Sequence, residues 1–398
     1  MGREGSSLPT VVVLGGAGDM GSRVVKELAS RGGVRVVAAD FRVVRARRLA
    51  ETQGEAVEAA FVDAGDPRSL ARVLDGAAAA VNCVGPFFRY AEKVALACVR
   101  AGVHLVDICD DDDATIRELA LDGLAREAGV MLCVGVGWTP GISNVLAAKA
   151  AAELEGPLDC DITWVGSTAD AEGRAVILHV LHAITRSTPA YLDGGWVDLP
   201  ALTHERWVAF PEPIGPVQAY VCGHPEPVTM PRYLPRLRSC VLRGYLLPHE
   251  IQDIARGMID LGLVDTVKKK EALAGLLQPV LPLLAHVGDG VAPALSAVRA
   301  DVSGLKDGRP RTVSYLAVDT MERLTGIPPA VAAHMLVTGA MEVRPGVWAP
   351  EGCLPAEAFL DELAGRDIEV EREESEGTLE DLARRAAEEA GQGRRVPA

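Results

Sequence analysis

The chain has 398 residues, of which 48% are hydrophobic and only 4% aromatic, so aliphatic side chains must form most of a large core. Its 55 acidic and 40 basic residues give a formal net charge of −15, which argues against nucleic acid or an anionic membrane as a partner. The sequence shows no apolar signal segment and no CxxC pair among its eight cysteines. We therefore expect a cytoplasmic protein with reduced thiols, no membrane-spanning segment and no metal site.

The first predicted strand, residues 10–15, runs into a turn with glycine at three of six positions, Gly16–Gly21. A helix is predicted immediately afterwards, over residues 19–31. A buried strand, a glycine-rich turn and a helix, in this order, are typical of a dinucleotide-binding site. The pattern predicts bound NAD or NADP, and a cofactor-free relic of the same fold is the alternative.

Each glycine of this turn has a separate role in that interpretation. Gly16 permits the tight turn, Gly18 lets the backbone approach a pyrophosphate, and Gly21 lets the helix pack closely on the strand. Asp19 and Met20 lie at the start of the helix, where free N–H groups and the helix dipole favour an anion. We therefore expect all five residues to contact the cofactor.

The second predicted strand, residues 34–39, ends at Asp40, which lies 19 residues after Gly21. A carboxylate at this position can bind the ribose diol of NAD and repels the 2′-phosphate of NADP. Arg42, two residues further on, can accept that phosphate if Asp40 turns away. The sequence favours NAD over NADP, and both stay open.

Strands and helices go on alternating, which predicts an α/β domain with a doubly wound parallel sheet of the Rossmann type over residues 1–140. The remaining predicted strands are 57–62, 78–84, 103–108 and 130–135, and the remaining predicted helices are 42–53, 67–74, 90–101 and 113–128. Further along, the sequence predicts a second α+β domain with a mixed or antiparallel sheet (141–320), a C-terminal segment that returns to helix (321–365), and a charged, partly disordered tail (366–398).

Polar residues follow the third and fourth predicted strands, at the sheet edge where ligands of such domains bind. Asp63, with Ala64 beside it, can reach the adenine amine or can cap the following helix. The segment from Asn82 through Cys83 and Val84 to Pro86 leaves room for the nicotinamide and its ribose, unless it is an ordinary loop.

Candidate catalytic residues come from both predicted domains. Asp107 closes the fifth strand and can act as an acid or base, anchor an ammonium group, or simply cap the strand end. In the second domain Arg174 can bind a substrate carboxylate, or can be a surface arginine. His182 and Glu226 belong to a cluster of polar residues that can line a cleft or can serve packing alone.

The chain resembles the saccharopine dehydrogenase-like family over nearly its whole length, to about residue 365, and is most similar to its lysine 6-dehydrogenases, then to its saccharopine reductases and carboxynorspermidine dehydrogenases. The segments that carry the resemblance are Gly16–Gly21, Asp63–Pro67, Val81–Pro86, Gly102–Asp107, Thr139–Asn144, Gly215–Tyr220, Thr325–Pro328 and Gly346–Glu351.

This resemblance implies an NAD(P)-dependent oxidoreductase that acts on a C–N bond, interconverting an amine and an imine of an amino-acid-like or polyamine-like substrate. It implies a Rossmann domain completed by the C-terminal segment, a second domain that forms a homodimer, and a cleft between the two domains. It also implies cofactor contacts from the glycine turn, the end of the second strand, Asp63-Ala64 and Asn82–Pro86.

Two other functions stay open. The first is a semialdehyde dehydrogenase that forms a thioester through a cysteine, for which Cys83 is the placed candidate. The second is a protein that binds NAD(P) without catalysis, as a redox sensor or a scaffold.

Overall fold

The computed structural model describes residues 8–170, 173–280, 283 and 293–393. The chain divides into two compact units, each built from two stretches of sequence. The first unit is Met1–Gly141 with Glu322–Leu363, and the second is Ile142–Met321 with Ala364–Ala398. Strands and helices are labelled below in chain order.

The first unit is built on a seven-stranded sheet in which every pair of neighbours is parallel. Its strands are β1 (Thr10–Leu14), β2 (Arg35–Asp40), β3 (Val57–Phe61), β4 (Ala79–Asn82), β5 (His104–Asp107), β6 (Met131–Cys133) and β15 (Gly346–Trp348). Their order across the sheet is β15-β6-β5-β4-β1-β2-β3. The chain order therefore reverses at β1, next to β4, which is where such sheets bind their ligands. The predicted doubly wound parallel sheet is confirmed.

The helices of this unit are α1 (Asp19–Arg31), α2 (Val43–Gln53), α3 (Pro67–Leu74), α4 (Phe87–Ala101), α5 (Asp112–Leu119), α6 (Asp122–Glu127), α12 (Met321–Thr338), α13 (Pro350–Cys353) and α14 (Ala356–Ala364). The one long helix predicted over 113–128 is in fact two, α5 and α6. They separate where the Leu121 N–H binds the Glu118 carbonyl at 2.9 Å, a bond of three-residue span.

The second unit is built on a nine-stranded mixed sheet, as predicted. Its strands are β7 (Glu155–Ser167), β8 (Ser187–Leu192), β9 (Gly195–Pro200), β10 (Arg206–Val208), β11 (Val217–Val221), β12 (Leu237–Leu247), β13 (Ser296–Lys306), β14 (Arg309–Asp319) and β16 (Glu371–Glu376). Strands β7 and β12 are parallel, and the other pairs are antiparallel. The helices are α7 (Ile142–Ala152), α8 (Arg174–Ala183), α9 (Glu226–Tyr233), α10 (Glu250–Asp260), α11 (Val267–Leu277) and α15 (Leu379–Gly393).

One face of this second sheet carries a buried ionic cluster next to apolar side chains such as Val165 and Ala297. Asp161 on β7 lies 3.1 Å from Arg206 and 2.9 Å from Arg243, and Asp301 on β13 lies 2.7 Å from Arg299. Burial opposes the ionisation of Asp161, but the two arginines outweigh it and hold the pKa of that carboxyl below its usual value. The cluster therefore keeps each carboxylate paired inside the fold.

The charged segment after residue 366 contains a strand that the sequence did not predict. Residues 371–376 form β16, which pairs antiparallel with β14, and α15 follows. The acidic side chains of β16 find basic partners on β13, because Glu373 lies 2.8 Å from Arg299 and Glu374 lies 2.7 Å from Lys306. Residues 394–398 of the predicted tail lie outside the described residues.

Within the described part of the chain, no helix is both long enough and apolar enough to cross a membrane. The apolar stretch from residue 276 to 298 lies partly outside the described residues, at 281–282 and 284–292.

Candidate cofactor and catalytic site

The glycine turn between β1 and α1 is packed so closely that two of its glycines admit no side chain. A Cβ at Gly21 would lie 2.1 Å from the Gly15 carbonyl oxygen, and one at Gly16 would lie 2.9 Å from the Val13 carbonyl oxygen. A Cβ at Gly18 would meet just the Gly15 oxygen, at 3.2 Å. Packing therefore accounts for Gly16 and Gly21, whereas at Gly18 glycine mainly leaves open space beside the turn.

Helix α1 begins at this opening in a way that suits an anion. Gly18 is its N-cap residue and has no side chain to accept a hydrogen bond from the first-turn N–H groups. A helix of 13 residues presents there the positive end of its dipole. The turn thus fits the pyrophosphate of a dinucleotide, and Asp19 and Met20 stand at the predicted place.

Asp40 braces the turn from the end of the neighbouring strand β2. One carboxylate oxygen accepts the Ala17 N–H at 3.0 Å, and the other accepts the Arg42 N–H at 2.7 Å. The Arg42 side chain is half exposed, and its Nε lies 3.7 Å from the same carboxylate. Asp40 is therefore a structural part of the turn, and its contact with the ribose stays a prediction.

An exposed aromatic pair stands beside Asp40 and was not predicted. Phe41 and Phe61 are 67% and 49% exposed, and their ring centroids are 5.6 Å apart. Exposed phenylalanines are conspicuous in a chain with six phenylalanines in all. A flat aromatic surface at the ends of β2 and β3 can stack against an adenine. The sequence feature that could have identified these two phenylalanines is their position at the ends of predicted strands.

Asp63 does not cap the following helix. The N-cap of α3 is Asp66, whose side chain accepts the Arg68 N–H at 3.0 Å. The Asp63 carboxylate instead accepts the Gly65 N–H at 2.8 Å, which shapes the loop after β3. Ala64 beside it is buried. The capping alternative for Asp63 is therefore wrong, and its contact with adenine stays a prediction.

Asn82 and Asp107 face each other across the ends of β4 and β5. The Asn82 side-chain amide donates to Asp107 at 2.7 Å, and its oxygen accepts the Val84 N–H at 3.1 Å. Asp107 also accepts a short hydrogen bond from the Cys109 N–H, and both Asn82 and Asp107 are fully buried. Asp107 thus holds the strand ends together, and it orients the Asn82–Pro86 segment where the nicotinamide is predicted.

Burial raises the pKa of Asp107 to about 7, although its bonds from Asn82 and Cys109 oppose the rise. The same burial, and then the charge of Asp107, raise the pKa of the Cys83 thiol far above its ordinary value. A cysteine that forms a thioester needs a lowered thiol pKa. The electrostatics at Cys83 therefore oppose the semialdehyde dehydrogenase alternative.

In the second unit, Glu226 belongs to a buried hydrogen-bonded group. Its carboxylate accepts the Ser143 hydroxyl at 2.7 Å and lies 3.6 Å from Nδ1 of His224. Nε2 of His224 is 3.2 Å from Nε2 of His179, so one ring must donate and the other accept. The sequence placed Glu226 in a cluster of polar residues, and the structure brings it together with His224 and His179.

The other two predicted residues of this unit lie differently. Arg174 is exposed at the first position of α8 and donates to the Glu271 carbonyl on α11 at 3.1 Å. His182 is half-buried, three residues beyond His179 on the same helix. Their roles in catalysis stay predictions.

A separate cavity of about 430 Å³ opens in the second unit, and none of the predicted site residues lines it. Its wall includes two arginines and one acid, Arg186, Arg256 and Asp260.

Comparison with known proteins agrees with this geometry. Residues 11–133 match the model of the saccharopine dehydrogenase NADP binding domain. A curated relative, carboxyaminopropylagmatine dehydrogenase from Synechocystis sp., is 25% identical over 389 residues, which cover 88% of this chain and 94% of the relative. The solved saccharopine dehydrogenase (L-Glu forming) from Saccharomyces cerevisiae has the same fold, with a TM-score of 0.66 at 15% identity over 92% of this chain and all of the other.

The family resemblance predicted from the motifs is thereby confirmed. The chain is an NAD(P)-dependent oxidoreductase that is similar to saccharopine dehydrogenases, and its residues 11–133 match their NADP-binding domain.

Proposed function

We propose that the protein interconverts an amine and an imine at a C–N bond of an amino-acid-like or polyamine-like substrate. The observation that carries this proposal is the full-length similarity to a carboxyaminopropylagmatine dehydrogenase, together with strand ends that fit a dinucleotide. The nicotinamide, when bound, supplies or accepts a hydride. The chain itself must hold the two reactants in line and supply a proton.

The cofactor proposal is NAD rather than NADP, and it rests on Asp40. A 2′-phosphate beside this carboxylate would bring two negative charges together, whereas a ribose diol can donate hydrogen bonds to it. Two features oppose NAD: the exposed Arg42 side chain can pair with a phosphate, and the family model that matches is that of an NADP-binding domain. Asp40 and Arg42 together therefore set the preference for NAD or NADP.

The polar residues of the two units have different proposed roles. Asp107 and Glu226 are fully buried and hydrogen-bonded, so both act by orienting other groups, Asp107 through Asn82 and Glu226 through His224. Arg174 and His182 are more exposed, so a substrate can reach them. The guanidinium of Arg174 suits a substrate carboxylate, and the imidazole of His182 suits proton transfer near neutral pH.

The test is a spectrophotometric screen of NADH and NADPH oxidation with aldehydes and keto acids, each with and without an added amine. Turnover that requires both a carbonyl compound and an amine supports the proposal. Oxidation of an aldehyde when NAD+ or NADP+ replaces the reduced cofactor, or cofactor binding without any turnover, contradicts it. Gly18→Val is the matched control, since its side chain is expected to fill the opening beside the glycine turn.

We also propose a homodimer, as the resemblance implies, and a cytoplasmic location, as the cysteine pattern predicts. Light scattering of the purified protein measures its mass directly. A mass of one chain, 42.0 kDa, at micromolar concentration contradicts the dimer.

A further inference from the structure

Glu118 is a fully buried acid in the last turn of α5, and no step proposed so far uses it. It lies on the same buried face of the helix as Ala114, Thr115 and Leu119. An ionised carboxylate inside a protein costs several kcal/mol unless other groups bond to it or pair with it. The surroundings of Glu118 therefore decide its protonation state.

Those surroundings offer an acceptor and lack a strong donor. The Glu118 carboxyl, the Asp107 carboxyl and the Cys109 thiol have atoms that all lie within 4.8 Å of one another. Among the described residues, no N–H or O–H group bonds to either oxygen of Glu118. Asp107, by contrast, accepts two N–H groups, from Asn82 and from the Cys109 backbone. The site is built for an ionised Asp107 and a neutral Glu118.

We propose that Glu118 is a positioning residue of the cofactor site, carrying one proton that it donates to Asp107. The hydrogen bonds then continue from Asp107 to the Asn82 amide and from the Asn82 oxygen to the Val84 N–H, at 2.7 and 3.1 Å. Glu118 thereby fixes the segment at the end of β4, and its effect on cofactor binding rests on the proposed function of Asn82–Pro86. The protonated state itself does not rest on that function.

Electrostatics agree with this assignment. Burial, and then the charge of Asp107, raise the pKa of Glu118 well above its ordinary value, while Arg117 opposes the rise. Burial and the charge of Asp110 raise the pKa of Asp107, to about 7. The other titratable groups that face the pair are Cys109 and Asp111 from the loop before α5, Cys98 from α4 and Cys83 after β4. The positive charge that acts on Glu118 is that of Arg117, whose side chain is 37% exposed, so one of the two buried carboxyls keeps a proton.

The direction of the pH effect follows from the raised pKa values. The folded pair keeps protons that the unfolded chain loses above pH of about 4. The pair therefore stabilises the fold most at acid pH, and this contribution declines as the pH rises through 7. The two carboxyls titrate as one unit, and not as separate groups.

The first experiment detects the proton without any cofactor. Infrared difference spectra between the parent protein and Glu118→Gln, taken at pH 7, report the C=O stretch of a protonated carboxyl. We expect this band in the parent and not in the variant. Its absence from the parent overturns the proposal. Elemental analysis that finds one equivalent of a divalent metal in the parent, lost in the variant, also overturns it, because two carboxylates and a thiol can hold a cation instead.

The second experiment measures cofactor positioning by fluorescence titration with NADH. Glu118→Gln retains an N–H donor toward Asp107, so we expect a Kd within about threefold of the parent. Glu118→Leu removes the donor, and we expect binding to weaken about tenfold. Equal binding by the Gln and Leu variants overturns the positioning role, and the infrared band remains decisive if Glu118→Leu does not fold.

Glu127→Gln, at an exposed position of α6, is the control. A parent that shows the band but binds no dinucleotide contradicts the proposed function instead.

Discussion

At the scale of single residues, Asp40 has two roles that a substitution must separate. Its oxygens hold the Ala17 and Arg42 N–H groups, so its removal loosens the glycine turn as well as changing the charge. Asp40→Asn keeps one acceptor oxygen and removes the negative charge. We expect the ratio of kcat/KM for NADPH over NADH to rise about tenfold, equivalent to about 1.4 kcal/mol. Steady-state kinetics with both cofactors measures the ratio.

Arg42→Leu is the matched variant for this test. It removes the exposed guanidinium and keeps the backbone N–H that Asp40 accepts, so binding of NADP(H) should weaken while that of NAD(H) stays within about twofold. An unchanged cofactor ratio in both variants means that neither side chain contacts the ribose.

Gly18 and Gly21 lie in the same turn but differ in the space that each leaves for a side chain. A Cβ at Gly18 would meet one carbonyl oxygen at 3.2 Å, whereas a Cβ at Gly21 would lie 2.1 Å from the Gly15 oxygen. We expect Gly18→Val to keep a melting temperature within a few degrees of the parent and to lose binding of NADH. Gly21→Ala should lower the melting temperature markedly, since the backbone must move. Calorimetry and NADH titration of the two variants test this, and normal NADH binding by Gly18→Val would place the pyrophosphate elsewhere.

At the scale of elements, the sequence predicted the first sheet well because its strands are buried on both faces. Val11–Leu14 and Ala79–Val81 are continuous apolar runs for this reason, and glycines mark the turn after the first strand. The acidic strand β16 was missed, because its stability comes from basic residues far away in the sequence. Glu118 was missed similarly: a glutamate on a helix is usually solvated, and its burial depends on how α5 packs.

The ionic cluster on the second sheet gives a prediction about strand β7. Asp161 is buried with Arg206 and Arg243, so Asp161→Asn leaves Arg243 without its buried carboxylate and leaves Arg206 with Asp301 alone, at 3.5 Å. We expect the free energy of unfolding at pH 7 to fall by about 3 kcal/mol. Because the folded pKa of Asp161 is lowered, its stabilisation is complete above the unfolded pKa of about 4 and is lost as the pH falls. The difference between parent and variant should therefore shrink in acid, which urea unfolding at pH 7 and pH 3 measures.

Asp159→Asn serves as the control on the same strand. Asp159 pairs with Arg238, whose side chain is 55% exposed, and surface pairs are worth about 1 kcal/mol or less. If Asp161→Asn lowers the free energy of unfolding no more than Asp159→Asn does, the buried cluster stabilises the fold no more than a surface ion pair.

At the scale of the whole molecule, each unit is assembled from two distant stretches of chain. The sequence predicted a C-terminal segment that returns to the first unit, because the family resemblance implied it. Periodicity alone could not place this segment: its strand β15 has three residues, and α12 contains Pro328 and Pro329. Contacts across more than 200 residues decide such a placement, and local patterns do not report them.

The return of this segment makes a prediction about which fragment folds. Strand β15 pairs with β6 at the sheet edge, the Arg31 guanidinium lies 3.0 Å from Glu362, and the thiols of Cys133 and Cys353 are in contact. Residues 8–141 alone would leave β6 as an open edge and expose the apolar surface that the segment covers. We expect this fragment to aggregate or to melt without a cooperative transition.

Residues 8–141 joined by a short glycine-serine linker to 322–363 restore the complete unit, so this linked fragment should melt cooperatively and bind NADH. Circular dichroism melting and NADH titration of both fragments decide the matter. Equal stability and binding in the shorter fragment would show that the C-terminal segment is dispensable for the first unit.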